Sequence, residues 1–105
     1  MSAGQKPIQV INTFTVRAGM MDEFVRVQEE ARPHLARENP GLRGSRLYRA
    51  LDGKTAVLIG VYDSADDNTR LQQSELFARH RARLQPLVES ASPAVYEVAY
   101  QAGEV

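Results

Sequence analysis

Residues 56–61 read Ala-Val-Leu-Ile-Gly-Val, apolar at every position and flanked by Thr55 and Tyr62. In an extended strand successive side chains point to opposite faces, so a sheet with water behind it alternates apolar and polar residues. A strand that is greasy on both faces needs cover on both. Helices of the same chain supply one cover. With 105 residues the chain makes one domain with a modest core, and it has little left to build a second layer. A second copy packing its sheet on the rear face meets the need; the alternative is a surplus of exposed hydrophobes on a monomer.

The rest of the chain is read around that strand. Ile8 to Val16 alternates, with Ile8, Val10, Asn12, Phe14 and Val16 on one face and Gln9, Ile11, Thr13 and Thr15 on the other. Arg17-Ala18-Gly19 breaks it. From Met20 to about Glu38 the apolar positions Met20, Phe24, Val27, Ala31 and Leu35 follow helical spacing, with Asp22 and Glu23 at the favoured acidic start. Pro33 is expected to kink the last turns or end the regular part early, and Pro40-Gly41 to stop the helix. Leu42–Leu51 and Lys54–Tyr62 form a hairpin about Asp52-Gly53. A two-residue loop puts Ser45, Leu47, Arg49 and Leu51 on the side of Ala56, Leu58, Gly60 and Tyr62. Arg46 and Tyr48 then share the rear face with Val57, Ile59 and Val61. Ser64 to Val88 is helical in two pieces, Ala65 to Gln73 and a second capped by Ser74 that carries Phe77, His80, Leu84, Leu87 and Val88 on one face. Ala94 to Gln101 closes the pattern as a strand, with Tyr96, Val98 and Tyr100 alternating. Strand, helix, strand, strand, helix, strand is the ferredoxin-like split βαβ order, an α+β fold with a four-stranded antiparallel sheet and its helices on one face. The expected domain is single, spanning 1–105, with an ordered core of about 8–101.

Composition narrows the function. Thirteen acidic and thirteen basic side chains balance, which argues against nucleic acid or an anionic membrane as a partner. No cysteine is present, so disulfides, thiolate nucleophiles and thiolate metal sites are excluded. The polar start, Met1 to Pro7, lacks the apolar core of a signal peptide, and no apolar run reaches membrane-spanning length; a cytoplasmic protein is expected. Arginine outnumbers lysine and alanine is abundant, the usage of GC-rich bacterial coding.

Three polar side chains fall on the face assigned to the helices. Asn12 lies among Ile8, Val10, Phe14 and Val16, and a buried amide is costly unless it finds partners, in a ligand or in backbone and water. His80 shares a stripe with Phe77 and Leu84; imidazole titrates near neutral pH and serves as a general base, or caps a core with one hydrogen bond. Tyr62 ends its strand beside Gly60 and Leu58, its hydroxyl able to hold a substrate oxygen or simply to reach water. Asn12, Tyr62 and His80 are the catalytic candidates. Ser45, Leu58, Gly60, Phe14 and Phe77 are the candidates for substrate contact, with Gly60 leaving room for a ring. His34 is placed at the surface or a pocket mouth. The two histidines sit on different helices without carboxylates at ligand spacing, so no metal site is expected.

The sequence resembles the antibiotic biosynthesis monooxygenase family of the dimeric α+β barrel superfamily. The likeness is carried by Phe14-Thr15-Val16-Arg17-Ala18-Gly19 with Asp22-Glu23-Phe24, by Asn39-Pro40-Gly41-Leu42, by Val61-Tyr62-Asp63-Ser64, and by Ser74-Glu75-Leu76-Phe77-Ala78-Arg79-His80 running to Leu84-Gln85-Pro86-Leu87. The resemblance implies a homodimer through the sheet face, with a pocket between sheet and helices in each subunit. It implies oxidation of electron-rich aromatic or quinol-type, polyketide-like molecules by O2 without metal or flavin. Tyr62 stands where members often have Trp, and Leu71 and Leu76 where many have His. A non-catalytic dimeric small-molecule-binding or accessory protein of secondary metabolism is the alternative. Haem degradation, the activity of one branch whose first-strand asparagine matches Asn12, fits less well. His80 is one residue short of that branch's ligand position, and one residue turns a helical side chain by about 100°.

Overall fold

The computed structural model describes residues 6–105; the polar start before them lies outside the described residues. The elements are β1 (Ile8–Val16), α1 (Met21–Glu38), β2 (Leu42–Arg49), β3 (Thr55–Tyr62), α2 (Ala65–Gln72), α3 (Glu75–Leu84) and β4 (Val88–Tyr96), with a 3-10 turn over Gln85–Leu87. The strands form one antiparallel sheet in the order β2-β3-β1-β4. This is the ferredoxin-like α+β fold expected, its second helical region broken in two.

The hairpin keeps the expected register although its loop is longer. Arg49 faces Ala56, Leu47 faces Leu58 and Ser45 faces Gly60. The turn closes through Gly53 N–H donating to Ala50 O at 2.9 Å, and Ala50 N–H pairs with Thr55 O at 2.8 Å. Gly53 takes φ +75°, which a side chain would resist. Because the added residues fall symmetrically on the two strands, no face is flipped.

The expected Ser74 cap is built, and Ser64 caps the helix before it in the same way. Ser64 Oγ accepts from Asp67 N–H at 3.2 Å and Ser74 Oγ from Phe77 N–H at 3.1 Å. Helix α1 departs from expectation at its start. Met20 is the flanking residue and 38% exposed, while Met21 enters the core. Its end at Glu38 is the one expected, and Pro33 lies inside the helix without ending it early. Proline there forfeits one backbone hydrogen bond, but Phe24, Val27, Ala31 and Leu35 hold the helix to the sheet before and after it. Asn39 Nδ2 then donates to Leu35 O at 2.8 Å and closes the end.

The C-terminal third departs more. The α-helix ends at Leu84: Pro86 and Leu87 sit in the 3-10 turn, and β4 begins at Val88 and ends at Tyr96 instead of spanning 94–101. Strand β4 lies at the sheet edge, paired only with β1, and is exposed along nearly all its length. An edge strand without helix cover has no apolar face to bury, so Glu89-Ser90-Ala91-Ser92-Pro93 carries no hydrophobic period. Pro93 is tolerated because the outer edge needs no N–H.

The core forms where α1 crosses the sheet centre. Phe24, fully buried, meets Phe14 edge-on with ring centroids 4.9 Å apart, and Val16, Val27, Ala56 and Leu84 complete the cluster. A second cluster of Ala31, Leu35, Tyr62 and Leu71 packs under α2. On the opposite face the register places Ile11, Val57, Ile59 and Val61, all half-buried, away from the helices. Truncation of Phe24 to alanine removes the ring that pins α1 to β1. It is expected to cost about 3–5 kcal/mol, read as a lower urea midpoint at unchanged m.

Candidate functional site

Between the sheet and the three helices lies a cleft of about 1440 Å³. Typical ligand pockets occupy ~300–1,000 Å³. This one is larger because β4 extends the floor beyond the helices, contributing Ala91 and Pro93. Every residue singled out as a site candidate lines it: Asn12 and Phe14 from β1, Ser45 from β2, Leu58, Gly60 and Tyr62 from β3, Phe77 and His80 from α3. Alternation explains the strand contributions, since these positions share the helix-facing side of the sheet.

His80 is 7% exposed. Its Nε2 lies 2.8 Å from Oε1 of Gln28 on α1. A carbonyl oxygen only accepts, so Nε2–H donates and Nδ1 carries the lone pair. Burial, with a smaller push from the Arg83 guanidinium, lowers the His80 pKa below the ordinary imidazole value of 6.5. The ring is therefore neutral, and a proton acceptor, at neutral pH. The Phe77 ring lies tilted to it with centroids 6.4 Å apart, and the Arg81 guanidinium carbon sits 5.3 Å from the Phe77 centroid.

Tyr62 is buried, and burial alone pushes its phenol up to about 12. It is an O–H donor throughout the physiological range. Gly60 lies beneath it: a Cβ at residue 60 would approach Tyr62 Cε1 to 3.2 Å. The ring that Gly60 accommodates is thus, in the first instance, that of Tyr62. Ser45 Oγ accepts from Arg32 Nε at 3.3 Å at the cleft's α1 side. Leu71 and Leu76 belong to the apolar packing around Tyr62, Leu71 at 3% exposure. His34 is exposed on α1.

Gln28, Arg32 and Asn68 line the cleft and were not singled out from sequence. For Gln28 the signal was present. It falls one turn after Phe24 and beside Val27 and Ala31, a polar residue on the buried stripe. Three buried side-chain atoms find no hydrogen-bond partner among the described residues: Asn12 Oδ1, Gln28 Nε2 and His80 Nδ1. All three belong to residues of this one cleft. Among the described residues no group of three or more His, Asp or Glu side chains is placed to hold a metal ion, and no helix is long and apolar enough to cross a membrane.

Comparison with known proteins adds a family. The family model described as antibiotic biosynthesis monooxygenase matches residues 7–83. Among solved structures, SnoaB from Streptomyces nogalater, a cofactor-independent oxygenase, is similar with a TM-score of 0.85 at 25% identity, over 94% of this chain and 99% of its own. Rv0793 from Mycobacterium tuberculosis (TM-score 0.78, 22% identity, 93% and 100% coverage) and SO0527 from Shewanella oneidensis (0.76, 16%, 89% and 91%) share the fold. Among curated proteins no match is found.

The lowered pKa of His80 has a consequence for stability. The unfolded chain takes up the proton before the folded one does, so this contribution is complete above the ordinary imidazole pKa and is lost as pH falls below it. Thermal melts from about pH 7.5 down to about pH 5 are expected to fall more steeply for the native chain than for His80→Gln. Parallel curves would show that His80 titrates normally.

Proposed function

From the premise that the chain belongs to the antibiotic biosynthesis monooxygenase family, we propose that it is a cofactor-independent monooxygenase. Its substrate is an electron-rich hydroxylated aromatic or quinol of the anthrone type. The observation that carries this reading is the buried His80 Nδ1 without a hydrogen-bond partner among the described residues, on a residue that shares one cleft with Asn12, whose Oδ1 also lacks one, and with the Tyr62 phenol. SnoaB supports it as a full-length structural relative described as a cofactor-independent oxygenase.

In this reading His80 Nδ1 takes a proton from the acidic ring CH2 of the substrate, and the resulting carbanion, delocalised as a phenolate, passes one electron to O2. The two radicals join in a C–O bond, the peroxide oxygen regains the proton, and loss of water leaves a ketone. The balance is CH2 + O2 → C=O + H2O, with all electrons drawn from the substrate. The protein contributes a dry cleft, orientation and hydrogen bonds to the developing oxyanion. Tyr62, neutral at working pH, donates such a bond; Asn12 anchors a second substrate polar group. Phe14, Leu58 and Phe77 contact the ring system, Gly60 keeps the floor clear, and Ser45 marks the far end. The working unit in this proposal is a homodimer in which each rear face of Ile11, Val57, Ile59 and Val61 covers the other. A binding protein without turnover is the second reading, favoured by the apolar packing of Leu71, where many members carry histidine.

Oxygen uptake with a panel of hydroxylated anthrones and naphthols tests the chemistry. Turnover is expected that a chelator does not affect and that falls about 10²-fold in His80→Ala and further in Asn12→Ala/His80→Ala. Thermal shifts without turnover by pure protein would overturn it in favour of binding. Light scattering is expected to report twice the 11.7 kDa chain mass, and Ile59→Lys to yield the single chain. A monomeric native protein removes the dimer from the proposal.

A further inference from the structure

We infer that Gln28 and His80 act as one pair, in which the Gln28 carbonyl fixes the tautomer that leaves Nδ1 bare and the Gln28 amide N–H is held free for a substrate oxygen. This rests on the proposed role of His80 as base and extends it to a residue on another helix.

The bond joins side chains 52 positions apart, from α1 to α3, at 2.8 Å, with Gln28 8% and His80 7% exposed. Water therefore does not compete for either partner. Neutral imidazole shares its single ring proton between two nitrogens, and only one tautomer leaves a lone pair at Nδ1. A fixed acceptor at Nε2 selects that tautomer before substrate arrives, so no proton need be rearranged at the moment of reaction. The spacing of the two helices is held outside the cleft as well, where Arg83 Nη2 donates to Glu30 Oε1 at 3.3 Å.

A purely structural bridge would satisfy both partners. Here one hydrogen bond is made and two buried atoms, Gln28 Nε2 and His80 Nδ1, are left without partners among the described residues. Leucine at residue 28 would extend the stripe of Phe24, Val27 and Ala31 with no such orphan. The orphans are of opposite kind, one a donor and one an acceptor, on either side of the bond. Both atoms are closed off from the open cleft, so a ligand meets them by displacing a neighbouring side chain: an oxygen that accepts from Gln28 and an acidic hydrogen directed at His80. Because an N–H bond to oxygen strengthens as the oxygen gains charge, Gln28 also stabilises the anion that proton loss creates.

The test is nitrogen NMR of the imidazole side chains in the full-length 15N-labelled protein, without substrate, with His34 as the exposed reference. The expected spectrum gives His80 a protonated Nε2 and a bare Nδ1, and Gln28→Leu is expected to shift it towards mixed tautomers. With a hydroxylated anthrone as probe, Gln28→Leu is expected to lower kcat about 10²-fold. A proton on Nδ1 in the native protein overturns the pairing, and that result stands even if Gln28→Leu fails to fold. Native turnover that Gln28→Leu leaves unchanged overturns it too, with the base role of His80 intact. Absence of native turnover sinks the base role itself, and the functional half of the pairing with it.

Discussion

The edge-on contact of Phe24 with Phe14 is the fixed point of this molecule. It seats α1 on the centre of the sheet at one end, where Val16, Val27, Ala56 and Leu84 close around it. Further along the same helix Ala31 and Leu35 pack with Tyr62 and Leu71. Residues of both clusters, Phe14 and Leu84 from the first and Leu35, Tyr62 and Leu71 from the second, line the cleft. A rigid core next to a site keeps polar groups where they are aimed, and the groups here are aimed without partners of their own.

Those partnerless groups separate this cleft from a packing defect. A void lined only by Leu, Val and Phe would be dry and indifferent to what entered it. Asn12, Gln28 and His80 instead bring an acceptor, a donor and a second acceptor into an apolar setting where each is costly to leave unpaired. The same burial that makes them costly lowers the His80 pKa and raises that of Tyr62, so one ring is ready to take a proton and the other keeps its own.

Sequence periodicity exposed the parts of the fold that must bury an apolar face. The hairpin register, the helix-facing side of β1 and β3, and the Ser74 cap could all be read, and the site candidates followed because they sit on those faces. Strand β4 could not be read. As an uncovered edge it is under no pressure to alternate, while Val98 and Tyr100 beyond it alternate without belonging to a strand. The cost of Pro33 is that of proline in an isolated helix, which the packing of α1 outweighs. Gln28 is hard to read for a different reason. A glutamine in a charged helix looks like surface until the helix phase is followed residue by residue, and its bond to His80 spans a sequence separation that no local pattern reports.

Glycine at position 60 has a bearing on diversification of the cleft. The Tyr62 ring rests over a backbone that lacks a methyl group, with only 3.2 Å between its edge and the place where one would be. Alanine there would make the Tyr62 ring give way by a few tenths of an ångström, while the strand pairing of β3 would carry on undisturbed. One small exchange on the floor would therefore retune both which guests fit and where the Tyr62 hydroxyl points, leaving the scaffold and the Gln28–His80 pair as they are. A lineage with this sheet has an inexpensive route to new substrates.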